Sequence, residues 1–210
     1  MFETVASTLD WLGVVVFAIT GCLVASRKQM DVTGFALLGT VTGIGGGTVR
    51  DLLLDLPVFW IDRPAYLLTC LSVSVLLFFT AHIPLSRYRV LLWFDAVGLA
   101  LFAVTGAGRA MDAGVGAAVV IAMGVVTATF GGIIRDLLGG ESPVILSREV
   151  YISAALAAAA AFMGLIGIGV SREIATGIGF AIGLLVRAAA LHLHWSLPRY
   201  KPRPGAPPSP

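Results

Sequence analysis

The sequence predicts an all-α integral membrane protein of seven transmembrane helices, built as an inverted repeat of three plus three helices followed by a seventh helix. Three observations support this fold class. The chain is strongly apolar, with 58% hydrophobic residues, 12% charged residues and a mean hydropathy of +0.94. Soluble domains carry roughly 25% charged residues, so a soluble fold is excluded. Seven apolar windows have membrane-spanning length, and a charged motif occurs twice, 85 residues apart.

Each predicted span is an apolar window close to the length of about 20 residues that crosses a bilayer core as a helix. The first six windows form a first repeat over about 9–82 and a second over about 90–170, and the seventh helix covers about 174–193. Residues 1–194 are therefore expected to form one membrane domain. The segment 195–210 holds six of the ten prolines and is expected to be a disordered cytoplasmic tail. The windows lie at Leu9–Ala25, Thr33–Leu54, Ala65–His82, Val90–Gly108, Gly114–Leu138, Val150–Val170 and Ile174–Leu193.

The repeated motif is a glycine pair followed by an Arg-Asp pair. Because each repeat contains three spans, an odd number, the second copy must lie upside-down relative to the first. Several polar residues outside the motif recur at the same shift, including an aspartate and two threonines in each repeat. The motif residues are Gly46, Gly47, Arg50 and Asp51 in the first copy and Gly131, Gly132, Arg135 and Asp136 in the second. The other matched pairs are Asp10 with Asp95, Thr20 with Thr105 and Thr42 with Thr127.

The distribution of lysine and arginine predicts the orientation in the membrane. Positively charged residues favour the cytoplasmic side of a bilayer. An outside N-terminus and a cytoplasmic C-terminus place nine of these residues inside and four outside, whereas the opposite orientation reverses the ratio. The short connectors are typical of a multi-pass protein of the bacterial inner membrane.

The glycine clusters predict kinks in the second and fifth transmembrane helices. Gly45, Gly46 and Gly47 lie about two-thirds of the way along the second span, and Gly131 and Gly132 lie similarly in the fifth. Adjacent glycines permit a break that frees backbone carbonyls, and a cavity, water or another helix must satisfy those carbonyls. Such a break suits a cation pathway. The alternative is close helix packing through small residues, which is common in membrane bundles.

The charged residues of the repeats predict two matched clusters at opposite sides of the membrane. A charge near the hydrocarbon boundary must form an ion pair, extend to the surface or face water. Inverted symmetry brings Asp10 near Arg50 or Asp51 on one side. It brings Asp95 near Arg135 or Asp136 on the other. Each cluster can act as a gate at a constriction, or it can be a structural ion pair that holds helix ends together.

The remaining polar residues allow weaker interpretations. The matched threonines Thr20, Thr42, Thr105 and Thr127 could offer oxygen ligands to a partly dehydrated ion, although a hydrogen bond back to the same helix is the more common role. Arg187, inside the seventh span, is expected to extend its guanidinium to the inner surface. The sequence has no catalytic motif, metal-ligand set or nucleotide-binding loop, so no enzyme, cofactor, resident metal or nucleic-acid partner is expected.

This arrangement resembles the prokaryotic trimeric intracellular cation (TRIC) channels over nearly the whole chain. The resemblance rests on the inverted repeat, on the glycine-bearing second and fifth helices and on the doubled glycine–Arg-Asp motif. It implies a homotrimer in which each protomer holds one pore, permeable to K⁺ and less selectively to Na⁺. The resemblance maps the family's kinks onto Gly45–Gly47 and Gly131–Gly132 and its charged pairs onto the two Arg-Asp pairs.

A second interpretation stays open from the sequence. Inverted repeats are common in secondary transporters, which move a small solute by exposing one site to each side in turn. The same domain type carries the label of a glycine transporter. The expected partners are therefore K⁺ and Na⁺ ions, or a small solute such as glycine, together with membrane lipids and further copies of the chain.

Overall fold

The protein is described here by a computed structural model that covers residues 2–83, 86–146, 150–193 and 195–196, with side chains from residue 8 onwards except at residue 146. Among the described residues, five helices are long and apolar enough to span a bilayer. The prediction of an all-α, multi-pass membrane protein is confirmed. The described residues form eight α-helices and one short 3-10 turn, Val144–Leu146. The helices are α1 (Phe2–Arg27), α2 (Val32–Leu53), α3 (Phe59–Asp62), α4 (Ala65–Thr80), α5 (Arg87–Asp112), α6 (Ala117–Leu138), α7 (Ile152–Gly167) and α8 (Arg172–Leu193).

Each of the seven apolar windows contains one long helix, but two of these helices are shorter than predicted. Helices α4 and α7 have 16 residues each. At 1.5 Å per residue they are about 24 Å long, less than the roughly 30 Å of a bilayer core. That these two also cross the membrane stays a prediction. The short α3 and the 3-10 turn precede them and were not expected from hydropathy. The predicted tail lies outside the described residues except for Trp195 and Ser196.

The helix ends meet on two opposite faces of the bundle. On the first, which we call the Arg50 face, the end of α2 meets the end of α5, where Arg50 and Arg109 line one cavity. On the second, the Arg135 face, the start of α5 meets the end of α1, where Arg87 donates to the Ser26 carbonyl at 2.9 Å. Helices α1 and α5 are therefore antiparallel. Asp31 begins α2 on the Arg135 face by accepting the Gly34 N–H at 2.8 Å.

The inverted repeat is visible as reciprocal packing at the centre of the bundle. The repeat partners Phe17 and Phe102 meet edge to face, with ring centroids 5.0 Å apart. A Cβ on Gly13 would lie 2.7 Å from the Phe102 ring, and a Cβ on Gly98 would collide with the Phe17 ring. Each ring therefore fills the space left by a glycine of the other repeat. These reciprocal contacts pack α1 against α5 with pseudo-twofold symmetry.

Helices α2 and α6 run through their glycine clusters without interruption. A Cβ on Gly46 would collide with the Thr127 carbonyl oxygen, and one on Gly131 would lie 2.5 Å from the Thr42 carbonyl oxygen. The expected break in either helix is therefore wrong, and close packing accounts for these glycines. A bend of either helix axis without a break stays a prediction.

Helix α8 has no partner in the repeat and is attached to the second repeat. At the Arg50 face, Arg172 donates to Asp112 Oδ2 at 2.7 Å and to the Gly108 carbonyl at 2.9 Å, which ties the start of α8 to the end of α5. Further along, a Cβ on Gly179 would lie 3.0 Å from the Ala158 carbonyl oxygen of α7. These contacts set the register of α8 against α5 and α7.

We expect Gly46→Ala to lower the melting temperature of the purified protein, because the added Cβ meets a backbone carbonyl that cannot rotate away. Overpacking of this kind costs about 1–3 kcal/mol. Gly164→Ala is the matched control, since a Cβ at Gly164 has no neighbour within 4 Å in the described residues and alanine favours a helix. Thermal unfolding in detergent measures both, and equal melting temperatures would contradict close packing at the crossing of α2 and α6.

Candidate functional site

A buried ion-pair cluster lies at the Arg135 face, and we call it the Arg135 cluster. The Arg135 guanidinium donates from Nη1 to Asp95 Oδ1 at 2.7 Å and to Thr20 Oγ1 at 3.0 Å, and from Nε to Asp136 Oδ1 at 2.9 Å. Arg135 and Asp95 are each 1% exposed. Charges removed from water in this way need close partners on every side. The cluster ties α6 to α1 and α5, so it closes the bundle at this face.

The aspartate of each Arg-Asp pair also holds the segment that follows its helix. Asp136 Oδ2 accepts the Val144 backbone N–H at 3.1 Å, at the start of the 3-10 turn. Asp51 Oδ2 accepts the Phe59 backbone N–H at 3.0 Å, at the start of α3. Phe59 and Val144 are themselves 85 positions apart. Each aspartate thus joins its arginine to a following turn in the same way at both faces.

The corresponding residues at the Arg50 face surround a cavity instead. Arg50 donates from Nε to Asp51 Oδ1 at 2.8 Å, and it is buried. Beside this pair lies a cavity of about 130 Å³, which we call the Arg50 cavity. A second, smaller cavity of about 10 Å³ shares Asp10, Arg50 and Phe59 with it and is also lined by Val14, Gly47 and Phe102. The Arg50 cavity is lined by Asp10, Arg50, Phe59, Asp62, Arg63, Tyr66 and Arg109.

The two faces therefore differ although their residues match. Asp95 pairs with Arg135, as the repeat predicts. Asp10 shares the Arg50 cavity with Arg50, but no ion pair joins them in the described part of the chain. The Thr105 Oγ1 atom, the counterpart of Thr20 Oγ1, is buried and has no hydrogen-bond partner among the described residues. We call the Arg135 face sealed because its described Asp95–Arg135 pair is almost fully buried. We call the Arg50 face open because Asp10 and Arg50 line a cavity there.

The predicted threonines and glycines of α2 and α6 lie at or near the crossing of these two helices. Thr42 and Thr127 are buried and donate to carbonyls one turn back in their own helices, those of Leu38 and Met123. Thr20 likewise donates to the Phe17 carbonyl at 2.8 Å. The three hydroxyls therefore make the common hydrogen bond of a threonine to a carbonyl of its own helix. Gly45, Gly46, Gly47, Gly131 and Gly132 are all buried at or next to the crossing.

Two functional candidates were missed or misplaced by the sequence analysis. Arg187 is 1% exposed and lies over the Tyr151 ring, with its guanidinium carbon 5.1 Å from the ring centroid. The expectation that it extends to the inner surface is therefore wrong. Tyr151 is buried, and its hydroxyl adjoins the Arg135 cluster. The match of Tyr66 with Tyr151 between the repeats was the signal that could have found this tyrosine.

We expect Asp95→Asn to destabilise the protein far more than its repeat partner Asp10→Asn. Asp95→Asn removes a charge that a buried guanidinium requires, and breaking a buried pair costs about 3–5 kcal/mol. Asp10 is only partly buried and has no ion pair in the described residues, so we expect about 1 kcal/mol or less. Thermal unfolding of both variants in one detergent measures the difference, and equal losses would contradict the asymmetry of the two faces.

The chain matches a known family over most of its length. The family model described as "Glycine transporter" matches residues 7–82 and 92–166, two segments that correspond closely to the two predicted repeats. An inner membrane protein of Escherichia coli, YadS of the UPF0126 group, is 39% identical over 198 residues, covering 91% of this chain and 94% of the relative. The membrane protein YvgT of Bacillus subtilis is 34% identical over 90% of this chain and 94% of its own.

Solved structures agree with the fold. The TRIC trimeric intracellular cation channel orthologue from Rhodobacter sphaeroides is 64% identical, with a TM-score of 0.89 over 91% of this chain and all of that one. A structure described as bearing on conductance through TRIC cation channels is 34% identical, with a TM-score of 0.84 over 94% of this chain and 98% of that one. This chain is thus a multi-pass membrane protein that belongs to the TRIC family, whose sequence model bears the name glycine transporter.

Proposed function

We propose that this protein is a K⁺-permeable channel for monovalent cations, with one pore in each protomer of a homotrimer. The observation that carries the proposal is the 64% identity and shared fold with a TRIC channel orthologue, over 91% of this chain. The proposed location is the bacterial inner membrane, with the N-terminus outside and the C-terminus in the cytoplasm. In this orientation the Arg50 cavity faces outwards and the Arg135 cluster faces the cytoplasm.

The proposed pore runs along the contact between α2 and α6. Ions enter the Arg50 cavity, pass the smaller neighbouring cavity beside Gly47 and leave through the Arg135 cluster. All seven long helices cross the membrane in this proposal, and the bilayer adapts to the shorter α4 and α7. The sealed state of the Arg135 cluster then corresponds to a closed pore.

Opening requires the Arg135 guanidinium to leave Asp95 or to swing aside with it. The three helices that the cluster ties together would separate at this face, and water would replace the lost hydrogen bonds. The contact at Gly46 and Gly131 lies one helical turn from Arg50 and Arg135, so a change of angle there would move both arginines. We propose the glycine crossing as the hinge and the Arg-Asp pairs as the gates of this motion. The matched threonines and Asp10 line the same route.

A second candidate function is transport of a small zwitterion such as glycine. Two observations favour it besides the name of the family model. One end of the bundle is open while the other is sealed, which is the arrangement that alternating access requires. The Arg50 cavity also offers both carboxylates and guanidinium groups, which complement the ammonium and carboxylate of an amino acid.

Reconstitution in planar bilayers separates the two functions. We expect unitary currents whose reversal potential follows the K⁺ gradient and not the Cl⁻ gradient, because a continuous pore passes ions passively. Protein-free bilayers are the control. Saturable uptake of labelled glycine into proteoliposomes without unitary currents would contradict the channel and support the transporter.

The charges around the Arg50 cavity should tune conductance. We expect Asp62→Asn to lower the unitary K⁺ conductance about 1.5-fold in roughly 0.1 M KCl, because the carboxylate concentrates cations at the entrance. Arg109→Gln should raise it by a similar factor. Both side chains are exposed and line the cavity.

Asp55→Asn is the matched control, since Asp55 is exposed on the same face but does not line the cavity. Its conductance should equal that of the wild type. The effects of the other two variants should disappear near 1 M KCl, where charges are screened within about 3 Å. Unchanged conductance in both cavity variants at low salt would show that ions enter elsewhere.

A further inference from the structure

Helix α8 brings a buried charge to the Arg135 face, and this charge has no counterpart among the described residues at the Arg50 face. The Arg187 guanidinium lies over the Tyr151 ring at 5.1 Å from its centroid, and the side chain is almost fully buried. A desolvated guanidinium over an aromatic face is a favourable contact. The anchoring of Arg172 and the close packing at Gly179 hold α8 in the register that places Arg187 there.

Tyr151 adjoins the ion pair that seals this face. A Cβ on Gly132 would lie 2.9 Å from the Tyr151 hydroxyl and 3.7 Å from Asp95 Oδ1, so the hydroxyl and the carboxylate flank the same small space. Tyr151 also precedes α7, which begins at Ile152. A shift of this tyrosine would therefore expose the Asp95–Arg135 pair to water and move the start of α7.

The sealed arrangement leaves polar atoms unsatisfied. The Tyr151 hydroxyl and Asp95 Oδ2 are buried, and neither has a hydrogen-bond partner in the described residues. Burial of a polar atom without a partner is unfavourable, and entry of water would relieve it. These two atoms therefore favour an open Arg135 face, whereas the ion pairs of the Arg135 cluster and the contact of Arg187 with Tyr151 favour the sealed one.

The repeat partner Tyr66 is held in a different way. Its ring stacks on Trp11 with centroids 4.0 Å apart and meets the Phe59 ring at 5.0 Å. It lines the open Arg50 cavity. Trp11 and Phe59 belong to the first repeat, whereas Tyr151 contacts a residue of the unrepeated helix. The contact from α8 thus distinguishes the sealed face from the open one.

We propose that Arg187 keeps the pore closed at the Arg135 face by holding Tyr151 against the Asp95–Arg135 pair. Arg187 is a positioning residue in this scheme, since it acts through Tyr151 and does not touch the permeating ion. The inference rests on the proposed channel function. It assigns α8 the role of keeping the pore closed at the Arg135 face and not at the Arg50 face. Without this contact, water would enter the cluster and hydrogen-bond the Tyr151 hydroxyl and Asp95 Oδ2, and the pore would open at the Arg135 face.

Two variants test the proposal because they have opposite expected effects. Arg187→Met keeps an unbranched side chain about as far as Nε but removes the charged end of the guanidinium, so the open probability of single channels should rise about threefold to tenfold. Tyr151→Phe keeps the ring under Arg187 and removes the unsatisfied hydroxyl, so the open probability should fall about fivefold. The unitary conductance should stay at the wild-type value in both. Arg89→Met, at an exposed arginine near the start of α5, is the control for loss of positive charge on this face.

Each outcome decides the question. Opposite shifts in open probability with unchanged conductance support the proposal, whereas an unchanged open probability in Arg187→Met overturns it. If Arg187→Met does not fold, Tyr151→Phe decides alone, and a fall in its open probability is the supporting result.

If the wild type shows no unitary currents, the channel function fails, and a second measurement tests this inference independently. A water-soluble thiol reagent would then be applied to Thr20→Cys in a background without Cys22 and Cys70. Faster modification after Arg187→Met supports the proposal, and an equal rate overturns it.

Discussion

The close approach of α2 and α6 at Gly46 and Gly131 is the constraint on which the arrangement of charges depends. Each glycine faces a backbone carbonyl of the opposite helix, that of Thr127 or Thr42, where a side chain would not fit. Arg50 and Arg135 each lie one turn beyond one of these glycines. Since the two helices are related by inverted symmetry, the two arginines lie at opposite faces of the bundle. The crossing thus places one Arg-Asp pair near each membrane surface.

Much of the fold follows from the one-dimensional pattern, because hydropathy and an internal repeat are properties of the sequence alone. The seven long helices and the meeting of Asp95 with Arg135 were predicted in this way. The supposed breaks at the glycines were wrong because small residues serve close packing as readily as they permit a bend. Arg187 was misplaced because its position near the helix end indicated a surface role, while the packing of α8 on α5 and α7 buries it.

Two similar sets of side chains adopt two different arrangements in the same molecule. At the Arg135 face the arginine contacts two carboxylates and a threonine hydroxyl and is almost fully buried. At the Arg50 face the matching arginine contacts its neighbouring aspartate, and the matching carboxylate faces a cavity. In the proposal above, the unrepeated helix accounts for the difference, since it packs against the second repeat and brings Arg187 to Tyr151.

The carboxylates of Asp51 and Asp136 are held by main-chain N–H groups of Phe59 and Val144. A main-chain donor is supplied by every residue type except proline, so these contacts do not depend on which side chain follows. The connecting segments are therefore free to diverge, one into a helical turn with bulky aromatic rings and the other into a 3-10 turn of aliphatic residues, while the acidic anchor keeps its geometry. The internal repeat is therefore preserved here as a hydrogen bond from the main chain to an aspartate, which a comparison of side chains alone would not detect.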